Sequence, residues 1–359
     1  MTRSPVTETA TTTASAHSSL PPYPPSWIDR LNRWAGQFGP RPWVFYALFA
    51  AGLVLIQLLA LWLEGSLDAV ELLPVIVFNS AFTPFLLGLI ALLDRQALAV
   101  LRTMRPVLDT SASEYDRIAY QLTHMPVFRP LLAGLAVLVL VILMELLWRM
   151  PLRYAPLANL AVFNVVFQIT DKSSAFLFGV FIYHTLRQLR QVNAVHARHL
   201  RINLFHLAPV RGFSRLTAAT AIGLLVGVYA WMLINPELLL DPVILGVVAL
   251  ITVLAVLVFV WPLYGLHRRL ASEKEGALQA VDQRFESALA LFNTGFDQQD
   301  FAALERLNAT IASLEILHRR VKAIPTWPWE PETARFVLTT IAFPLFLAVI
   351  RFVIDLAMN

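Results

Sequence analysis

Seven stretches of this chain run for about 20 residues or more with almost nothing in them that water would hold: about 43–63, 72–93, 130–149, 163–186, 216–236, 243–264 and 336–356. A helix rising 1.5 Å per residue needs about 20 apolar residues to cross a hydrocarbon core roughly 30 Å thick. Lipid offers no hydrogen bonds, so a spanning segment must satisfy its own backbone, and a lone apolar stretch does that as a helix. The expected fold is therefore all-α, a polytopic transmembrane helix bundle of seven spans. Asp171 and Lys172 interrupt the fourth stretch. They leave six spans as the alternative, with 158–172 re-entrant.

Composition agrees. Hydrophobic residues make up 57% of the chain and charged residues 14%, where a soluble domain carries about 25% charged. A globule so poor in charge could not cover itself, which excludes an ordinary soluble enzyme, a disordered chain and a nucleic-acid-binding domain. The bilayer is the expected partner. With no cysteine, disulfides, thiolate metal sites and cysteine nucleophiles are excluded as well.

The basic residues orient the chain, because Lys and Arg gather in cytoplasmic loops. With the N-terminus inside, the first segment places four there, the 94–129 loop five, the 187–215 loop six and residues 265–335 nine, which is 24 of the 28. Arg149 and Arg153 fall outside, and the turns EGSLDAVE and INPELLLD carry no base. The expected location is a cell (inner or plasma) membrane, N-terminus cytoplasmic and C-terminus extracytoplasmic. The stretch from Arg187 to Arg215 is also a candidate contact for anionic lipid.

Between and around the spans the chain divides by composition. Residues 1–25 are rich in Thr, Ser and Pro and read as a disordered tail without a signal-peptide core. Residues 26–39 repeat Trp27, Ile28, Leu31, Trp34 and Phe38 at helical spacing, with Asp29, Arg30 and Arg33 turned away. Ser26 is the expected N-cap and Pro40 the stop, and an interfacial amphipathic helix is expected. Residues 40–264 hold six spans with helical cytoplasmic loops, one opened by the capping box SASE at 111–114.

In 265–323, Leu278, Val281, Phe285, Ala288 and Phe292 follow a 3-4 rhythm, repeated by Leu304, Leu307, Ile311, Leu314, His318 and Val321. Two such stripes predict a coiled-coil-like antiparallel hairpin on the cytoplasmic side, with Gly295 as helix stop and Asp297 as the next N-cap. Residues 324–359 pass through IPTWPWEP, with Trp327 and Trp329 expected at the interface, into the last span. Ala219, Gly223 and Gly227 in the fifth stretch form a small-xxx-small face for close helix packing.

Catalytic signatures are missing: no GxxxxGK[ST], GxSxG or HExxH occurs, and no enzyme activity is expected. The last span has no lysine for a retinal Schiff base, and no cofactor is indicated. His184, His196, His199 and His206 lie on one segment, but two histidines at i,i+3 without further ligands do not make a metal site.

Charges inside the spans are the sharpest signal, since placing one at the bilayer centre costs about 3 kcal/mol or more. Given the orientation, they fall in the outer third of three spans: Glu145 one turn before Arg149, Asp171 with Lys172, and Arg351 with Asp355. Asn164 and Gln168 extend the stripe of Asp171 outward, and Asn79, Ser80 and Thr83 add polarity in span two. This layer reads in two ways. It is a structural ion-pair network, or it is a vestibule for an ion or small solute, with Lys172 and Arg351 meeting anions or Asp171 and Glu145 meeting cations or protons. A channel-like or transporter-like protein, forming a homo-oligomer, is the expected function. The alternative is a non-transporting sensor or scaffold whose hairpin binds a partner.

Overall fold

Apolar length decides most of the architecture. The computed structural model describes residues 21–38, 41–66, 72–148, 160–199, 204–205, 207–234, 242–298, 301–329 and 331–343. Helix accounts for 88% of them, and there is no strand among the described residues. The helices are α1 (Trp27–Ala35), α2 (Trp43–Leu63), α3 (Leu73–Met104), α4 (Ala112–Thr123), α5 (Phe128–Trp148), α6 (Ala161–His199), α7 (Ala208–Ile234), α8 (Pro242–Asp297) and α9 (Phe301–Lys322). Residues 331–343 are helical too.

Six of these, α2, α3 and α5 to α8, are long and apolar enough to cross a membrane. The fourth stretch is not broken at Asp171 and Lys172. Both residues sit inside the uninterrupted helix α6, because a charged pair that finds partners leaves backbone hydrogen bonding intact. The seventh stretch begins in the helical residues 331–343, and the rest of 336–356 lies outside the described residues.

Helices α3 and α7 form the centre of the bundle. Of their most apolar windows 56% and 61% is buried, against 17% for α2 and 11% for α5 at the rim. The small face of α7 explains part of this. A Cβ on Gly223 would lie 2.7 Å from the Leu89 side chain, and one on Gly227 2.6 Å from the Phe82 ring, so these glycines let α7 close on α3. Leu132, Leu135, Leu140 and Leu146 of α5 point outward and exposed, as a lipid-facing surface should.

The predicted boundary between 264 and 265 falls inside one helix. α8 has 56 residues, about 84 Å of helix, far longer than a hydrocarbon core of roughly 30 Å. Helix α9 runs back along its C-terminal half. The Lys274 Nζ donates to the carbonyls of Lys322 (2.6 Å) and Ile324 (2.8 Å), His318 lies 3.7 Å from Asp282, and Gly295 faces Leu304. Every predicted seam residue is buried or half-buried; Leu317 is half-buried and Gly295 buried as well, and the other described residues between them are exposed. Gly295 does not stop the helix, and Asp297 is its last residue rather than the next N-cap. Gly295 keeps helical geometry because its bare face packs under Leu304.

Two apolar features face protein where lipid was expected. Ile28 of α1 is fully buried, with Trp27 and Leu31 packed on the same core, while Trp34 and Phe38 stay exposed. Asp29 is turned inward, not away. It completes a capping box with Ser26 and accepts the Met125 N–H at 2.9 Å. Trp327 and Trp329 stack on each other (4.2 Å between centroids), and the stack ends on His267 (4.0 Å) and Phe259 (5.7 Å) of α8. Flat rings on a helix flank exclude water better than they would singly at an interface.

Candidate functional site

Helix α6 carries the polar groups of the bundle on two of its faces. Toward α5, the Lys172 ammonium donates to Glu145 and, at 3.0 Å, to Asp171. The three side chains are 22%, 34% and 43% exposed. They meet because α5 and α6 approach closely. A Cβ on Gly179 would lie 2.5 Å from the Ala133 carbonyl oxygen, and one on Gly134 2.5 Å from the Phe176 ring. Among the described residues two carboxylates face one ammonium here, an excess of carboxylate that favours a further cation over an anion.

Arg149, Arg351 and Asp355, predicted in the same layer, lie outside the described residues. Asn164 and Gln168 are half-buried and, at i,i+4,i+7 spacing with Asp171, lie on the face of α6 that carries the charged cluster. Asn79 does not join the charged cluster. It is buried on the other side of α6, where its amide donates to the Phe167 carbonyl at 3.3 Å.

The face of α6 toward α3 forms a polar seam that the sequence reading missed. Near the start of α6, Glu64 at the end of α2 accepts the N–H groups of Val162 (2.8 Å) and Phe163 (3.1 Å). That carboxylate caps the free amides and complements the positive helix end. Further along, the Thr83 hydroxyl of α3 and the Ser174 hydroxyl of α6 meet at 2.9 Å, and beside them Gln57 of α2 donates to Ser80 of α3 at 2.8 Å. At the far end His184 Nε2 lies 2.9 Å from Asp94 Oδ1. Gln188 spans Asp94 (3.4 Å) and the Leu122 carbonyl (3.3 Å).

The His184 ring is 1% exposed, and its Nδ1 has no partner among the described residues. Asp94 and His184 are 90 residues apart, and each sits where a span merges into its basic flank. That position makes either look like an ordinary boundary residue. The signal that could have found them is placement alone, one carboxylate and one imidazole at the matching ends of neighbouring antiparallel spans.

Beside this end, the chain before α1 is clasped to α4 and α6. The Tyr23 hydroxyl donates to the His124 carbonyl at 2.8 Å and accepts from Arg187, whose guanidinium lies over the ring. Tyr120 donates to the Tyr23 carbonyl at 2.7 Å. Burial pushes the Tyr23 hydroxyl up to about 12, against a smaller lowering by Arg187, so it remains a neutral donor at every physiological pH. Of the histidines considered for metal, His184 is taken by Asp94, while the side chains of His196, His199 and His206 are outside the described set. No group of three metal-ligating side chains occurs among the described residues.

Chemically the arrangement can hold a cation at the Glu145–Lys172–Asp171 cluster and store a proton at Asp94–His184. Thr123 Oγ1 lies 2.9 Å from His124 Nδ1, and it donates to the Ala119 carbonyl of its own helix at 2.9 Å. Comparison with protein-family models, curated proteins and solved structures finds no match to the chain.

Proposed function

We infer that this is a seven-span transport protein of a cell membrane, N-terminus cytoplasmic and C-terminus extracytoplasmic, that moves a small cation or protons along α6. The observation that carries the reading is the concentration of ionisable and amide groups on one membrane-length helix. Intramembrane charge is expensive and persists where it serves a pathway or a paired network. The excess carboxylate beside Lys172 supports a cation, and Asp94–His184 adds a second protonatable station. The bases on one side of the span order support the orientation, and the apolar run from 336 to 356 supplies the seventh span. We also place the α8–α9 pair on the cytoplasmic side and expect a homo-oligomer.

Flux tests the reading. In liposomes loaded with pH- and potassium-sensitive dyes, the protein should conduct protons or potassium. Asp171→Asn and Asp94→Asn should each lower that flux by about tenfold, the effect of about 1.4 kcal/mol on a barrier. Wild-type liposomes no leakier than empty ones, or full flux in both variants, would overturn it.

One observation favours a second reading, a sensor or scaffold. α8 joins a membrane-length segment rigidly to the α8–α9 pair, whose far end exposes Phe296 (68%) and Phe301 (76%). A partner seated on that tip would be linked mechanically to the bundle. Loss of flux discriminates between the two readings.

A further inference from the structure

Between α6 and α8 a groove opens sideways from the bundle. Its walls are apolar, formed chiefly by Leu186, Leu189, Leu254 and Leu257, and its lining carries one charge, Arg190, beside Asn193. Trp261 forms the lip and is 59% exposed, and Leu257 beside it is 52% exposed. Pro262 has no N–H to give the helix ladder at this point. Asn193, exposed like Arg190, stands at the end of the groove beside Gly265, its Oδ1 2.9 Å from where a Cβ would stand.

A second small cavity continues the groove inward. It is about 10 Å³, room for one water; it shares Leu186, Leu254 and Val258 with the first, and Thr185 and Thr220 line it beside Phe181 and Leu224. From Asn193 to Leu186, the reach of the groove along α6, is 7 residues, about 10 Å. One leaflet of hydrocarbon is about 15 Å deep. The groove therefore runs along about two thirds of one leaflet's depth, with a mostly apolar lining, a cation at one end and an indole at the depth where indoles anchor to headgroups.

We propose that this slot is a binding site for a single anionic phospholipid, its acyl chain along Leu186 and Leu254 and its phosphate on Arg190 and Asn193. Charge complementarity selects the occupant. A zwitterionic lipid brings an ammonium next to Arg190, and a free anion leaves the apolar slot unfilled. The inference rests on α6 and α8 lying in the bilayer, and it is separate from transport.

Symmetric nanodiscs make the test independent of which face is inside. Purified full-length protein is exchanged into discs of phosphatidylcholine with 10% phosphatidylglycerol, about one lipid in ten, and lipid retained on release is measured by native mass spectrometry. Phosphatidylglycerol should be retained over phosphatidylcholine. Arg190→Gln should weaken that preference about fivefold, as the loss of one interfacial charge worth about 1 kcal/mol. Leu257→Trp should abolish retention by filling the slot while keeping every charge, and Arg129→Gln, at the exposed start of α5, should change nothing. Circular dichroism verifies the fold of each variant, and Leu257→Trp alone still tests the slot if Arg190→Gln unfolds. Equal retention of both lipids, an Arg129→Gln loss matching Arg190→Gln, full retention in Leu257→Trp, or displacement by inorganic phosphate would overturn the proposal.

Discussion

Lys172 is the residue on which the charged cluster turns, and its two partners are not equivalent. Glu145 reaches it from α5, whereas Asp171 is its neighbour in sequence. Replacing Glu145 by Gln leaves one ammonium facing one carboxylate. Replacing Lys172 by Gln leaves two carboxylates facing each other with no cation between them, the costlier state in a medium of low dielectric constant. Because all three side chains keep some exposure, the cost is discounted to about 1–2 kcal/mol for Lys172→Gln and less for Glu145→Gln. Thermal unfolding in detergent checks this, with the lower midpoint expected for Lys172→Gln. At this scale the sequence was half legible. That Glu145, Asp171 and Lys172 would need one another followed from the cost of intramembrane charge. That Asp29 turns inward and Asp94 seeks His184 did not, because capping and long-range pairing depend on where the chain places its helices.

Helices were the most legible level, since apolar length and the 3-4 rhythm survive whatever the neighbours are. Their ends and faces were less so. α6 passes through Asp171 and Lys172 and α8 runs through Gly295, because a polar or glycine residue costs a helix only about 1 kcal/mol and packing outweighs it. The face of α1 went to protein because α3, α4 and α6 offered a closer surface than lipid.

The pairing of α5 with α6 rests on two glycines that differ in what opposes them. At Gly179 an added methyl meets the Ala133 backbone carbonyl and Val137, at 2.5 and 2.9 Å, and backbone cannot swing aside. At Gly134 it meets the Phe176 ring, which can rotate. Gly179→Ala should therefore separate α5 from α6 and cost about 2–3 kcal/mol, with Gly134→Ala near the low end of the range for overpacking. The separation should also free Glu145. Double variants with Glu145→Gln provide the check: the Glu145→Gln penalty should disappear in the Gly179→Ala background and persist in Gly134→Ala.

At the scale of the molecule the long helix α8 sets the constraint. A rod of about 84 Å cannot lie within one bilayer, so the α8–α9 pair and the basic flanks of α3 and α6 must share a side if the spans alternate. Ser66 follows α2 on the opposite side, and Ser272 stands on α8 just past its apolar stretch. With no native cysteine, a single cysteine at either position reports alone. In intact cells a membrane-impermeant thiol reagent should label Ser66→Cys and spare Ser272→Cys, and permeabilised cells should label both. Met358→Cys should behave as Ser66→Cys, because an odd number of spans puts the C-terminus opposite the N-terminus. If Met358→Cys is spared with Ser272→Cys, the chain crosses six times. The excess of bases on one side then still orients it, but α8 and α9 would return to a final segment that never leaves the cytoplasmic face. The Ser66 and Ser272 labels fix orientation and the Met358 label fixes parity, so a wrong count cannot pass as a wrong orientation.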